Sequence, residues 1–209
     1  MLKNIIFDFG NVLIDLELEQ TTIELSKFIF QKLAPAQRQH LHETLFDVYE
    51  VGKMTEQDFL DALRYHADVP ATQQEMIDAW NAMLIGIPVH RFDFLRSLGD
   101  YRLFLLSNTN ETHLKWVDQH LRSVHAINMQ DFNQYFEKAY YSHLIHLRKP
   151  NAAIYEFVLQ DANLKAAETL FIDDNAANIA AAKALGFQTI HLGIKEEVTE
   201  AFTNYLHHN

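Results

Sequence analysis

The chain has 209 residues, of which 48% are hydrophobic, and a formal net charge of -11 at pH 7. This length accommodates one large domain or a core with an insert, and the composition is ordinary for a protein with a sizeable apolar core. The acidic balance argues against a nucleic-acid partner, which requires a basic face. The chain has no cysteine, which excludes disulfides and thiolate chemistry.

Neither a targeting segment nor a membrane span is predicted. Asp8 interrupts the apolar run near the N-terminus, which is unlike a signal peptide. No apolar stretch approaches the roughly 20 residues that are needed to span a bilayer. We therefore expect no membrane partner and a cytoplasmic location, and the oligomeric state is left open.

The first predicted element is a strand that ends at an acidic residue. Ile5, Ile6 and Phe7 form an apolar run that stops at Asp8, and Gly10 then lets the backbone turn. Such a run is typical of a strand buried on both faces of a parallel sheet, where ligands bind beyond the carboxyl ends of the strands. A carboxylate at that position can attack an electrophile, bind a metal ion or simply cap a turn.

The next stretch, residues 15–88, shows helical spacing of its apolar residues and no strand pattern. Thr55 is a candidate helix cap, and Thr72-Gln-Gln-Glu75 is a capping box. Four helices are predicted, with apolar faces at Leu18 to Leu33, Leu41 to Tyr49, Phe59 to His66, and Met76 to Leu84.

Helices and strands alternate after residue 88. Helices are predicted over 91–98, 110–121, 151–159 and 176–185, and strands over 103–106, 139–142, 170–172 and 188–192. This order predicts an α/β, three-layer fold with a parallel, Rossmann-like sheet. We expect a core domain of residues 1–14 and 89–209, and a helical cap domain of residues 15–88 that acts as a lid over the ligand-binding edge.

Two polar stretches of the core are suited to binding an anion. Ser107-Asn-Thr-Asn110 follows the second predicted core strand, and its small polar side chains and backbone N–H groups suit an anionic oxygen. The same stretch could be a plain loop in which Asn110 caps a helix. Lys149 precedes a proline and a helix, where it could neutralise phosphate, although lysine is more often a solvated surface charge.

A third stretch is suited to binding a cation. Asp173 and Asp174 follow the fourth predicted core strand, and adjacent carboxylates repel one another. That cost is tolerated most easily if a cation lies between them and a third acid, which would be Asp8. A ligand set made only of oxygen atoms points to Mg²⁺.

Taken in order, these stretches resemble the four motifs of the haloacid dehalogenase-like (HAD) hydrolase superfamily. The matching stretches are Asp8-Phe-Gly-Asn-Val12, Ser107, Lys149 within His146-Leu-Arg-Lys-Pro150, and Asp173-Asp174. The resemblance covers the whole chain and extends to bacterial sugar-phosphate phosphatases of the glucose-1-phosphate type. It implies a Mg²⁺-dependent hydrolase (EC 3.1.3) whose partner is a small-molecule phosphate ester, such as a sugar phosphate.

The resemblance also implies a role for each motif. Asp8 would attack phosphorus and form an aspartyl-phosphate. Mg²⁺ would be held by Asp8, the Gly10 carbonyl and Asp174. Asp173 would either contact these ligands without touching the metal or bind the metal through a water molecule. The phosphoryl oxygens would be bound by Ser107, Lys149 and backbone N–H groups near Asn108.

Three more residues of the core are candidates for supporting roles. Asn178 lies one helical turn beyond the acidic pair, where it could orient Lys149 or a water molecule. His143 and His146 precede Lys149 closely in the sequence and could reach the site, although such residues are often plain packing.

The chain departs from the family pattern at Gly10, where most of the phosphatases carry a second Asp as general acid and base. General acid–base catalysis contributes about 10²–10⁴-fold, so a substrate with a good leaving group would lose less. A residue of the insert could also supply the proton, and the candidates are Glu50, Lys53 and His66.

Two other functions remain open at this point. The 2-haloacid dehalogenases of the family also lack the second Asp, but they attack carbon and need no metal, so they have no use for Asp173-Asp174. A non-catalytic phosphometabolite-binding protein would have no need of Asp8 facing a phosphate. The acidic pair Asp173-Asp174 and the strand-end carboxylate of Asp8 therefore favour phosphoryl transfer over these two functions.

Overall fold

The computed structural model describes residues 1–29 and 34–208. Its strands are β1 (Asn4–Phe7), β2 (Asp15–Leu16), β3 (Leu84–Gly86), β4 (Arg102–Ser107), β5 (Lys138–Tyr141), β6 (Thr169–Asp173) and β7 (Gln188–His191). Five of them form one parallel sheet in the order β5-β4-β1-β6-β7. The predicted α/β fold with a parallel sheet is therefore confirmed, and its central strand is the one that precedes Asp8.

Helices surround this sheet and make up most of the insert. Their bounds are α1 (Leu18–Ser26), α2 (Pro35–Leu41), α3 (Asp47–Glu50), α4 (Glu56–Tyr65), α5 (Gln73–Asn81), α6 (Val89–Ser97), α7 (Glu111–His125), α8 (Met129–Asn133), α9 (Ser142–Ile145), α10 (Ala152–Asp161), α11 (Ala176–Ala184) and α12 (Val198–His208). A π-helical turn, His42–Phe46, joins α2 to α3, and a 3-10 turn, Ala166–Glu168, precedes β6. Within residues 1–29 and 34–208, no helix is long and apolar enough to cross a bilayer.

Both faces of the parallel sheet are buried, because alternate side chains of each strand point to opposite sides. Ile5 and Phe7 of β1 belong to a cluster with residues of α6, α7 and α12. Ile6, between them, belongs to a second cluster with Tyr155 of α10 and Ile179 of α11. This double burial explains why the core strands appear in the sequence as continuous apolar runs.

The helices of the insert bury their apolar residues in a third cluster, which includes Leu25, Tyr49, Phe59 and Trp80. The rings of Tyr49 and Phe59 are stacked with centroids 4.1 Å apart. The Thr72 capping box is present at the start of α5, as predicted. The predicted domain boundaries at residues 14/15 and 88/89 stay a prediction.

The structure corrects the prediction that residues 15–88 contain no strand. β2 and β3 form an antiparallel pair in which Asp15 lies opposite Gly86 and Leu16 lies opposite Leu84. Two- and three-residue strands are too short to produce a recognisable alternation in sequence. The pair joins the two ends of the insert where it leaves the core.

The helix predictions also need correction. α1 ends at Ser26, and the carbonyl of Phe28 accepts a hydrogen bond from the Asp68 amide at 2.7 Å instead of continuing the helix. Leu33, which the prediction placed in the same helix, lies outside the described residues. The short helices α8 and α9 were not predicted, and Ser142, the predicted end of a strand, begins α9. α12 was not predicted either, although Val198, Ala201 and Phe202 have helical spacing and are buried.

Candidate active site

Three strands bring acidic and polar residues to one edge of the sheet. Phe7 at the end of β1 pairs in register with Leu105 of β4 and Ile172 of β6. The strands are parallel, so their carboxyl ends meet. Asp8 and Asp173 therefore lie at the same edge, as does Ser107, the last residue of β4.

The three predicted acids form one cluster. Asp8, Asp173 and Asp174 each offer a carboxylate oxygen within 4.8 Å of the others. Asp8 and Asp173 are buried and Asp174 is half-buried. Asn11 Nδ2 donates a hydrogen bond of 2.9 Å to Asp174 Oδ2, which fixes that side chain. Sequence reasoning missed Asn11 as a site residue, although it lies within the first motif.

Lys149 lies between two of these acids. Its Nζ is 2.7 Å from Asp8 Oδ1 and 2.8 Å from Asp173 Oδ2, and the side chain is only 1% exposed. Burial alone would lower the pKa of Lys149, but the two carboxylates raise it above the usual value. The ammonium is therefore charged at neutral pH. Lys149 is thus a buried cation and not a solvated surface charge, which is the more common state of lysine.

Asn108 determines where Lys149 lies. Its side chain donates to the Lys149 carbonyl and accepts from the Lys149 amide, both at 2.9 Å. The Lys149–Pro150 peptide bond is cis. Asn108, near which backbone N–H groups were predicted to bind phosphate, thus also holds the loop that carries the buried lysine.

Both oxygens of Asp173, the first acid of the Asp173-Asp174 pair, are contacted by protein donors. Asn178 Nδ2 lies 3.0 Å from each carboxylate oxygen, and the Asn175 amide donates to Oδ1 at 2.8 Å. Lys149 Nζ donates a hydrogen bond to Oδ2 at 2.8 Å, so the Asp173 carboxylate positions the lysine. The sequence suggested that Asn178 could orient Lys149 or a water molecule, and in the structure its side chain contacts Asp173, which in turn contacts Lys149.

The pKa of the Asp8 carboxyl group is raised, chiefly because the group is buried. Burial raises the pKa of Asp8 to about 7, an effect that Lys149 opposes and the charge of Asp173 reinforces. A divalent cation beside Asp8 would favour the ionised form. The donor set consists of oxygen atoms only, which fits Mg²⁺ better than a softer metal.

A cavity of about 340 Å³ lies between this edge and the insert. Gly10, Ser107 and Asn108 line it from the core side. Among the residues that the structure describes, the Ser107 hydroxyl makes only one long contact, 3.4 Å, with the Asn108 carbonyl. Asn110 caps α7 by accepting from the His113 amide at 3.0 Å, so it has the structural role considered above.

The insert supplies the opposite wall, and only one of its three proton-donor candidates lies there. Glu50 lines the cavity, whereas Lys53 and His66 are exposed and do not. His143 and His146 do not line it either, and His146 Nδ1 lies 2.9 Å from the Val51 carbonyl. The two histidines beside Lys149 are therefore part of the contact between core and insert.

Comparison with known proteins agrees with this arrangement. A family model for haloacid dehalogenase-like hydrolases matches residues 2–186. D-ribitol-5-phosphate phosphatase of Bacteroides thetaiotaomicron is 32% identical over 193 aligned residues, which cover 90% of this chain and 91% of that protein.

Two solved structures share the fold over nearly the full length. One is a HAD family enzyme of Bacteroides thetaiotaomicron in complex with magnesium and inorganic phosphate. It has 32% identity and a TM-score of 0.84, with 97% of this chain and 100% of that chain covered. The other, from Porphyromonas gingivalis, is described as a predicted HAD-like family hydrolase. It has 33% identity and a TM-score of 0.83, with 99% of this chain and 98% of that chain covered. Because the family model spans most of the sequence and these relatives match nearly all of it, the chain belongs to the haloacid dehalogenase-like hydrolase family.

Proposed function

We propose that this protein is a Mg²⁺-dependent phosphomonoesterase that works through an aspartyl-phosphate. The observation that carries the proposal is the cluster of Asp8, Lys149 and Asp174 at the edge of the sheet, beside a cavity that Gly10, Ser107 and Asn108 line. A carboxylate nucleophile needs a nearby cation to approach a phosphate, because both carry negative charge. The relatives named as a D-ribitol-5-phosphate phosphatase and as a complex with magnesium and phosphate support the same reaction.

The metal would be held by Asp8, the Gly10 carbonyl and Asp174. Once bound, Mg²⁺ offsets the repulsion between the carboxylate and the phosphoryl oxygens and polarises the phosphorus centre. Asn11 holds the Asp174 carboxylate in place by its hydrogen bond at 2.9 Å. Asp173 is the least suited of the three acids to direct coordination, because protein donors already occupy both of its oxygens.

In the first step a carboxylate oxygen of Asp8 forms a bond to phosphorus and the bond to the ester oxygen breaks. Asp8 is already oriented, because its Oδ1 accepts from the Phe9 amide and from Lys149 Nζ, both at 2.7 Å. The Lys149 ammonium and the Ser107 hydroxyl would stabilise the phosphoryl oxygens. Water then attacks phosphorus, releases phosphate and regenerates the Asp8 carboxylate.

The two rival functions fit the site less well. A dehalogenase attacks carbon and has no use for a third acid, yet Asp174 is held toward Asp8 by Asn11. A non-catalytic phosphate-binding protein would gain nothing from a buried carboxylate directed at an anion, since the two repel each other.

The substrate class that we propose is a small sugar or polyol phosphate. The cavity of about 340 Å³ has room for a molecule of that size next to the acidic cluster. The name of the ribitol-phosphate relative supports the same class. A screen of sugar and polyol phosphates that includes D-ribitol 5-phosphate and glucose 1-phosphate tests this finer proposal.

Hydrolysis of p-nitrophenyl phosphate with Mg²⁺ and with EDTA tests the reaction itself. We expect release of nitrophenolate only with Mg²⁺, and a loss of at least about 10³-fold for Asp8→Asn, which keeps the shape and removes the nucleophile. Asp100→Asn, at an exposed position, is the matched control and should keep full activity. Near-full activity of Asp8→Asn would overturn Asp8 as the nucleophile.

A further inference from the structure

Phosphate ester hydrolysis leaves an alkoxide that needs a proton, and position 10 of this chain supplies none. Gly10 has no side chain, and a Cβ added there would lie 2.7 Å from Leu16 Cδ1. An acid at this position would require Leu16 to move. The proton must therefore come from elsewhere in the cavity or from solvent.

The described residues that line the cavity include three titratable side chains, which are His42, Glu50 and His113. Both ring nitrogens of His113 already have partners within the protein, because Nδ1 lies 3.2 Å from Asn110 Nδ2 and Nε2 lies 3.3 Å from the Trp80 carbonyl. Burial also lowers the pKa of His113 to about 4, so its ring is neutral. His42 faces Asp47, with its Nδ1 3.4 Å from Asp47 Oδ1, and its side chain is 56% exposed, so more of it meets solvent than the cavity wall.

Glu50 is the remaining group, and the fold ties it to the catalytic loop. Its Oε2 lies 3.0 Å from Arg148 Nη2, and Arg148 directly precedes Lys149. The Glu50 carbonyl accepts from Ser142 Oγ at 2.6 Å, and the same Oγ accepts from the Thr109 amide at 2.9 Å. The insert is thus held against two loops of the core at the point where Glu50 enters the cavity wall.

The surroundings of Glu50 also suit a proton donor. Burial raises the pKa of the Glu50 carboxyl group, and the charge of Asp47 raises it further, against the opposing effects of Arg148 and His42. Among the described residues neither oxygen of this carboxylate accepts a hydrogen bond of regular geometry, and Oε1 has no ion-pair partner either. One oxygen is therefore free to carry and deliver a proton.

We propose that Glu50 is the general acid and base that replaces the acid missing at Gly10. This inference rests on the proposed phosphatase function. As the bond between phosphorus and the ester oxygen breaks, the leaving oxygen takes the Glu50 proton and departs as an alcohol. The Glu50 carboxylate then accepts a proton from the water that attacks phosphorus, the Asp8–phosphorus bond breaks, and Glu50 is protonated again.

The test compares leaving groups in terms of kcat/KM, which reports the steps up to release of the alcohol. Nitrophenolate leaves without protonation, whereas an alkoxide does not. Glu50→Gln should therefore lower kcat/KM by about 10²–10⁴-fold for the best alkyl phosphate of the sugar-phosphate screen, and by less than about tenfold for p-nitrophenyl phosphate. Glu50→Asp should recover part of the alkyl phosphatase activity.

Glu56→Gln is the matched control. Glu56 also joins the insert to the core, because its Oε1 accepts a hydrogen bond from Thr112 Oγ1 at 2.9 Å and its Oε2 pairs with Lys115, but it does not line the cavity. Its variant should therefore change both substrates to the same degree, as a disturbed contact between insert and core would. Equal losses on both substrates for Glu50→Gln would make Glu50 a positioning residue and overturn the proposal, with the phosphatase function intact. A wild-type protein inactive on p-nitrophenyl phosphate would instead overturn the proposed function, and the role of Glu50 with it.

Discussion

Lys149 offers the sharpest test of the electrostatics of this site. The side chain is 1% exposed and contacts two buried carboxylates, at 2.7 and 2.8 Å. Lys149→Met keeps much of the side-chain volume and removes the positive charge that lies between Asp8 and Asp173. Removing one partner of a buried ion pair costs about 3–5 kcal/mol, because the other partner is left buried without compensation.

We expect Lys149→Met to lose about 3–5 kcal/mol of unfolding free energy at pH 8 in EDTA, measured by urea denaturation. The loss should shrink as the pH falls to 6. Removing the ammonium raises the pKa of Asp8 further above 7, so the native variant binds a proton that the unfolded chain, with an ordinary Asp pKa, does not bind. A native state that binds more protons than the unfolded chain becomes more stable as the pH decreases.

Lys3→Met is the matched control. Lys3 pairs with Glu168 at 3.0 Å, but its side chain is 59% exposed, so water screens the pair. This variant should change the unfolding free energy little at either pH. If Lys149→Met were as stable as the wild type at pH 8, or if its deficit did not depend on pH, the ammonium would not be compensating the buried acids.

Three further predictions concern the insert, the metal and pH. Gly52→Ala should lower Tm, because Gly52 has a φ of +65° and an added Cβ would lie 1.9 Å from the His143 carbonyl oxygen. Its control is Gly99→Ala, which should leave Tm unchanged because no atom lies within 4 Å of an added Cβ. Mg²⁺ at about 100 times its Kd should raise the unfolding free energy by about 2.7 kcal/mol, and Asp174→Asn should lose most of that gain. In EDTA, wild-type stability should fall as the pH rises from 4 through about 7, because the pKa of Asp8 is raised from 3.8 to about 7, and Asp8→Asn should lack this fall. A wild-type Tm for Gly52→Ala, an equal Mg²⁺ gain in Asp174→Asn, or the same pH slope in Asp8→Asn would each contradict its prediction.

The main sheet was predictable because its strands are buried on both faces. A buried strand such as β1 needs an uninterrupted apolar run, and the polar residue that ends the run marks the edge of the sheet. That is why the positions of Asp8, Ser107 and Asp173 along the strands agree with the predicted ones. The short pair of β2 and β3 was not predictable, because its stability comes from pairing across the insert and not from local pattern.

The supporting residues of the site were harder to predict. Asn178 was a candidate because it lies one helical turn beyond the acidic pair, and its contact with Asp173 spans only five residues. Asn11 is an ordinary polar residue in sequence, and its role comes from a contact with Asp174 across 163 residues of chain. The ion pairs of Lys149 likewise span long separations, and they convert a residue type that is normally exposed into a buried cation.

Local sequence thus specifies the order of helices and strands, the break at Gly10 and the acids at the strand ends, because burial and turn formation act on neighbouring residues. The pairing of charges at Lys149, the approach of Glu50 to the cavity and the raised pKa of Asp8 depend on distances between segments far apart in the chain. Those distances exist only after the sheet and the insert have packed together, since burial strengthens each of these interactions.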